Sequence, residues 1–245
     1  MNQSIFDQYT STCMLAEGDP SAALAWGKVY FRKCILPHLP PRRETRILDC
    51  GCGYGRMLKA LQESGYQNVE GVDCSLEQVQ YAQQVLGLQG VICADAVEFL
   101  KGRESFFDVI LILDVLEHLE VDQTIELLKI ARKRMAPGGI VVIQVPNALC
   151  PMNLYRYLDI THQRAYSVNS LSQTLRLAGY AAFSFYSIPP LPFGWRGRFR
   201  NWLWRLILNP VIHGFMWVIH GSIAGKIFSG NFLAVVPAPA RQTSA

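Results

Sequence analysis

From about residue 44 onward, short apolar runs alternate with amphipathic stretches, and this alternation sets most of the expected architecture. RILDC, NVEGVD, GVICAD, FDVILIL and GGIVVIQV read as strands. Helices are expected from Arg56, from Ser75 and from about Asp122, with a shorter one after GVICAD. Such βα alternation implies a parallel sheet covered by helices on both faces. Pro137-Gly138-Gly139 is expected to close the helix ending KRMA and to turn the chain into the next strand. Residues 1–43 read as a helical cap, with a helix around Ala22 to Leu36 and a break at Pro37, Pro40 and Pro41. Beyond Pro146 the pattern predicts a polar loop (Asn147 to Arg164), a helix from about Asn169 to Ala178, and the strand AAFSFYSI. Residues 189–229 form an apolar, Trp-rich insertion, NFLAVV supplies a last strand, and 238–245 read as a disordered tail. The domain defined in this way spans 44–237.

Composition adds limits. At 245 residues, half of them apolar, the chain can build one α/β domain with a sizeable core plus appendages. The seven cysteines are odd in number and form no CxxC pair, so neither a disulfide framework nor a zinc knuckle is expected. A reduced, cytoplasmic setting fits this usage. The opening MNQSIFDQYT lacks the basic and apolar regions of a signal peptide, so export is not expected. The net charge of +4 conceals an asymmetry, because Asp159 is the last acidic residue. Fifteen basic against nineteen acidic residues leave the first 159 positions at −4, and the eight basic residues that follow have no carboxylate beside them.

Chemistry concentrates where the strands end. Ile47-Leu48-Asp49-Cys50-Gly51-Cys52-Gly53-Tyr54-Gly55-Arg56 is a strand ending in Asp that opens through Gly-x-Gly-x-Gly into a helix. Alternate glycines let the backbone approach a ligand closely, and the helix N-terminus offers free N–H donors. A tight structural turn or a dinucleotide site can use the same glycines. The second strand ends at Asp73, 22 residues after Gly51, where a carboxylate can accept both hydroxyls of a ribose. Asp95 and the Ala96 backbone, after the third strand, can meet an adenine edge, and Asp114 ends the fourth. Each Asp alone also reads as a helix N-cap. Their joint placement at the carboxyl ends of parallel strands points to one ligand crevice.

Together these motifs resemble the class I S-adenosylmethionine-dependent methyltransferases over roughly residues 44–188 and the last strand. LDCGCGYGRMLKAL is similar to that family's first motif, GVDCSLEQV to its ribose-binding strand end, ADAVEFL to its adenine loop, and FDVILILDVLEHL to its fourth motif. The resemblance implies a Rossmann-like, seven-stranded, mostly parallel sheet with its last strand antiparallel. It also implies S-adenosylmethionine as cofactor. Asp49 with Gly51, Cys52, Gly53 and Gly55 would then hold the methionyl part. Asp73 and Cys74 would lie at the ribose, Asp95 and Ala96 at adenine, and Asp114, Val115 and Leu116 at the methionine end. Two alternatives stand beside this: a cofactor-binding protein without turnover, and a nicotinamide-dependent oxidoreductase, although the third glycine comes one residue early for Gly-x-Gly-x-x-Gly.

On the acceptor side, Leu116-Glu117-His118-Leu119 follows the fourth strand, and His118 is a candidate base that titrates near neutrality. It reads equally as a histidine packed in a loop. Arg156 to Ser167, which contains His162, resembles the acceptor loop of methyltransferases of polysaccharide, lipid-head-group and ubiquinone pathways. Small-RNA 2′-O-methyltransferases hold a divalent metal with two acids and two histidines at comparable points. Here Asp114, Glu117, His118 and His162 would be the candidates. The expected acceptor is an oxygen of a small, glycan, lipid-linked or quinone-like molecule. The stretch 194–228 mixes tryptophans with arginines and contains no acidic residue. Its uninterrupted apolar length falls short of the roughly 20 residues that span a bilayer. It suits a helix lying on the anionic inner face of a membrane, or equally a dimer contact or a lid. Nucleic acid is not expected as a partner.

Overall fold

The computed structural model describes residues 20–221 and 227–238. The 238–245 tail, apart from its first residue, and the first 19 residues of the cap lie outside the described residues. The described residues form one seven-stranded sheet in the order β3-β2-β1-β4-β5-β7-β6. Its strands are β1 (Arg46–Cys50), β2 (Asn68–Asp73), β3 (Val91–Cys93), β4 (Phe107–Leu113), β5 (Met135–Pro146), β6 (Ser184–Ser187) and β7 (Asn231–Pro237). β7 runs antiparallel to both β5 and β6, and the pairs among β1 to β5 are parallel.

Alternation along the central strands creates two cores. Ile47, Val109 and Leu111 face one side, where α1 (Pro20–Tyr30), α2 (Arg56–Glu63) and α3 (Leu76–Gln84) cover them with Tyr30, Leu61 and Val79. Leu48, Ile110 and Ile112 face the other, under α4 (Ala96–Lys101), α5 (Val121–Arg134) and α6 (Val168–Leu177), which contribute Leu100, Leu128 and Leu171. Each fully buried Leu or Ile contributes about 1.5 to 3 kcal/mol relative to exposure. The helices begin where side chains cap them: Ser75 accepts from Gln78 N–H, Asp95 from Val97 and Glu98 N–H, and Ser167 from Ser170 N–H.

One turn differs from expectation. α5 ends at Arg134 and β5 starts at Met135, so Pro137-Gly138-Gly139 lies inside the strand. Phe107 pairs with Met135 and Val109 with Ile140, a register shift that absorbs the extra residues as a bulge. Gly138 takes up the turn at φ 74°. Gly139 is there for space: a Cβ would stand 2.9 Å from Asp108 O and 3.0 Å from Ala136 O. Gly139→Ala should therefore lower stability by about 1 to 3 kcal/mol, read as a depressed Tm, since backbone carbonyls cannot swing away as a side chain can.

Candidate active site

The sheet reverses its winding between β1 and β4, and the crevice outside their carboxyl ends is where such sheets bind ligands. Gly51, Gly53 and Gly55 all adopt positive φ (72°, 56° and 85°), which carries the chain from β1 into α2. Gly51 and Cys52 donate their N–H groups to Val72 O, tying the loop to β2. Asp73 holds the loop from beneath. Its Oδ2 accepts from Gly53 N–H and its Oδ1 from Ser75 N–H, both at 2.8 Å. Val115 closes the other side, at a point where a Cβ on Gly51 would approach its Cγ2 to 2.4 Å.

Three carboxylates surround this loop. Asp49 is buried, and burial, then the neighbouring Asp73, pushes its carboxyl up to about 8. Burial also raises Asp73 and Asp114. Arg56 is the cation that opposes the shift at both Asp49 and Asp114. Asp114 sits in the left-handed region at φ 56°, and its carboxylate is fixed by Gln144 Nε2 (2.5 Å) and Asn231 Nδ2 (3.3 Å). Tyr30 of α1 donates its hydroxyl to Gln144 Oε1 and so joins the cap to this network. Arg56 lies 5.0 Å from the ring centroid of Trp26 and crosses Gly27, where a Cβ would meet its Cγ at 2.5 Å.

The sequence-based assignments divide here. Asp49, Gly51, Cys52, Gly53, Gly55, Asp73, Asp114 and Val115 gather around the β1–β4 crevice. Asp95 caps α4 through Oδ1, and Ala96 is the first residue of that helix, as the capping alternative foresaw. Cys74 is half-buried after β2 and its backbone carbonyl accepts from Cys93 Sγ. The Leu116 side chain is fully buried in the core, so only its backbone can serve the site.

Beside the crevice, Leu116–His118 forms a single 3-10 turn on which the acceptor loop rests. Gln163 donates to Glu117 O and to His118 O, which brings His162 against His118 with ring centroids 4.7 Å apart. Thr161 donates its hydroxyl to Asp159 Oδ1 at 2.6 Å and meets His118 Nδ1 at 2.7 Å. A threonine hydroxyl has one proton, so its oxygen accepts from His118 Nδ1–H, and that tautomer leaves the ring's lone pair on Nε2. Burial, then the neighbouring His162, lowers His118 to about 4. The imidazole is therefore neutral at physiological pH.

Glu117 is fully buried, and among the described residues neither carboxylate oxygen has a side-chain hydrogen-bond partner. Burial raises it well above the usual carboxylate range, and Asp114 and Asp159 add to the effect. One potential ligand atom each from Glu117, His118 and His162 falls within a 4.8 Å cluster.

Residues 28–184 match the model of the methyltransferase domain family. The chain belongs to that family. Among its relatives, it is 32% identical over 102 residues to an N-terminal Xaa-Pro-Lys N-methyltransferase 1 of Danio rerio, a match covering 40% of this chain and 45% of that protein. It is also 32% identical over 111 residues to a ubiquinone biosynthesis O-methyltransferase of Caulobacter sp. (strain K31), covering 44% and 43%. The matches thus span less than half the length of these curated relatives. A crystal structure of a SAM-dependent methyltransferase from Archaeoglobus fulgidus superposes with a TM-score of 0.63 at 20% identity, covering 97% of this chain and all of that one. That likeness bears on the fold, which is the Rossmann-like sheet of S-adenosylmethionine-dependent methyltransferases.

The methyltransferase crevice suits S-adenosylmethionine in its charges. A ligand with an ammonium and a sulfonium fits among Asp49, Asp73 and Asp114. A dinucleotide pyrophosphate would meet the same carboxylates as like charges. Gln78 adds an acceptor: it is buried, and its Oε1, without a partner among the described residues, lies 2.6 Å from where a Gly53 Cβ would stand. Tyr30, Arg56, Gln78, Gln144 and Thr161 were missed as site residues. Only Thr161, two positions after Asp159 and one before His162, carried a local signal.

Proposed function

We propose that the protein transfers the methyl group of S-adenosylmethionine to an oxygen of a small glycan, lipid-linked or quinone-like acceptor. Bound at the glycine loop, the cofactor would supply an electrophilic methyl. The chain's own contribution is to fix that ligand among Asp49, Asp73 and Asp114, and to hold the acceptor over the turn bearing His118. The Asp159–Thr161–His118 relay carries this reading. It orients a neutral imidazole beside Asp114, where a hydroxyl acceptor needs its proton removed.

The relay changes the expected pH dependence. An unperturbed histidine would give a rate limb near 6 to 7. With His118 lowered to about 4 by burial, the neutral form is present above that value and lost below it. The rate should rise through about 4 and show no limb from His118 at 6 to 7. A limb at 6 to 7 that disappears in His118→Ala would mean the working imidazole is solvated, against this geometry.

Glu117 favours a second reading of the same site. A buried carboxylate with neither oxygen partnered among the described residues, beside two imidazoles, is a costly arrangement in the absence of a cation. Glu117, His118 and His162 would hold a divalent ion, which would supply Lewis acidity toward the acceptor oxygen.

A further inference from the structure

Residues 188–230 leave the sheet after β6 and return at β7, and most of this excursion is one helix, α7 (Gly194–His220), of 27 residues. None of its most apolar 18-residue stretch is fully buried, although Trp204, Ile212, His213 and Met216 are half-buried. Gly197 is the one buried residue of its first ten. Trp195, Phe199, Trp202 and Leu206 recur at helical spacing and form an exposed stripe, with Trp195 75% exposed. Arg196, Arg198, Arg200 and Arg205 flank that stripe. Toward the C-terminus Val211, Phe215, Trp217, Val218 and Ile219 are exposed beside a half-buried face of Ile212, His213 and Met216, with Trp217 69% and Val218 74% exposed. Water is a poor partner for so large a contiguous apolar surface.

Charge identifies the partner. The helix carries four arginines and no carboxylate, and no acidic residue follows Asp159 anywhere in the chain. A second copy docked through the same stripe would bring arginine against arginine with no acid to offset them. An anionic lipid surface offers phosphates to the arginines and a boundary layer to the tryptophans.

By length and composition α7 could cross a bilayer, but the path of the chain forbids it. Only ten residues, 221–230, connect His220 to β7. To recross, they would have to run fully extended through hydrocarbon with their backbone groups unpaired. The helix is also tied to the segments that flank it. Asn201 donates to Pro190 O at 2.6 Å, Gly197 packs where a Cβ would stand 2.7 Å from Leu191 O, and the His213 ring meets Phe228 at 4.7 Å.

We propose that α7 lies in the headgroup–acyl boundary of an anionic bilayer, arginines on the phosphates and the Trp195–Phe199–Trp202 stripe inward, without crossing it. The excursion starts and ends at the carboxyl end of β5, where Pro146 pairs with Asn231, whose side chain reaches Asp114. The bilayer therefore faces the crevice. Resting on the methyl-transfer reading of that crevice, a lipid-borne acceptor could enter from the membrane.

The test is flotation of the full-length protein with vesicles of phosphatidylglycerol and phosphatidylcholine, or phosphatidylcholine alone, at low and high salt. Binding should appear on the anionic vesicles and fall more than about tenfold at high salt. Combined Arg196→Glu, Arg198→Glu and Arg200→Glu should reduce it more than about a hundredfold. S-adenosylhomocysteine affinity, titrated on the same preparations, should not change, which separates failure of the membrane reading from failure of the cofactor reading. Tryptophan fluorescence should be quenched more by bromines placed shallow in the acyl chain than by bromines at its end. No binding to anionic vesicles at low salt, binding indifferent to salt and to the three reversals, or preferential deep quenching would each overturn the proposal. So would a dimer in solution that loses its contact when Trp195 and Trp202 become serine.

Discussion

Asp73→Ala should leave the protein folded and weaken S-adenosylhomocysteine binding by about 10²- to 10⁴-fold. If both ribose hydroxyls donate to this carboxylate, each charge-assisted bond is worth about 1.5 to 3 kcal/mol, and 1.4 kcal/mol is tenfold in affinity. Asp73 also anchors the loop itself, since its oxygens accept from Gly53 and Ser75 N–H. Removing it withdraws a ligand contact and loosens the backbone that meets the methionyl part. Gly53→Val should produce a loss of the same order for another reason. Its Cβ would stand 2.6 Å from Gln78 Oε1 at a φ of +56° that a β-branched residue resists. Calorimetric titration of both variants, each checked for a cooperative melt, reads the effect. Wild-type affinity in both would remove the glycine loop from the cofactor site.

His118→Ala should lower turnover by about 10²- to 10⁴-fold while shifting S-adenosylhomocysteine affinity by less than about twofold. The imidazole is tied to Thr161 and through it to Asp159, so Thr161→Val should reproduce part of the loss by freeing the tautomer. His162→Ala should act mainly on KM for the acceptor. A cation at Glu117 changes that pattern: His118→Ala, His162→Ala and Glu117→Gln would then abolish activity alike, and EDTA would do the same to the wild type until magnesium was restored. Near-normal turnover in both histidine variants would leave positioning of cofactor and acceptor as the source of the rate.

The parts of this molecule that were legible in the sequence are those set by local rules. Short apolar runs gave the strands, the helix start at Ser75 was legible, and glycines with terminal aspartates marked the crevice. What escaped depends on contacts between distant residues. Tyr30 reaches Gln144 across 114 positions, and nothing in WGKVYF announces it. Leu116 was placed at the methionine end by its motif, yet the 3-10 turn that carries it sends its side chain into the core. Asp95 shows the limit of a motif in the other direction, because capping α4 already accounts for one of its oxygens. The Pro137-Gly138-Gly139 turn was misplaced because a bulge inside a strand and a turn before it call for the same residues. The insertion's basic, tryptophan-rich character was visible, but the return of both its ends to one place in the sheet, where Ser187 pairs with Phe232, was not.

Methyl transfer itself is tested most directly by incubating the wild-type protein, on anionic vesicles and with magnesium, with methyl-labelled S-adenosylmethionine and a panel of hydroxyl-bearing lipid-linked glycans and quinol-like phenols. The account predicts label recovered in one acceptor class, S-adenosylhomocysteine formed in equal amount, and neither product with Asp73→Ala. Tight cofactor binding with no label leaving S-adenosylmethionine on any oxygen, nitrogen or carbon acceptor would contradict it and leave a cofactor-binding protein without turnover.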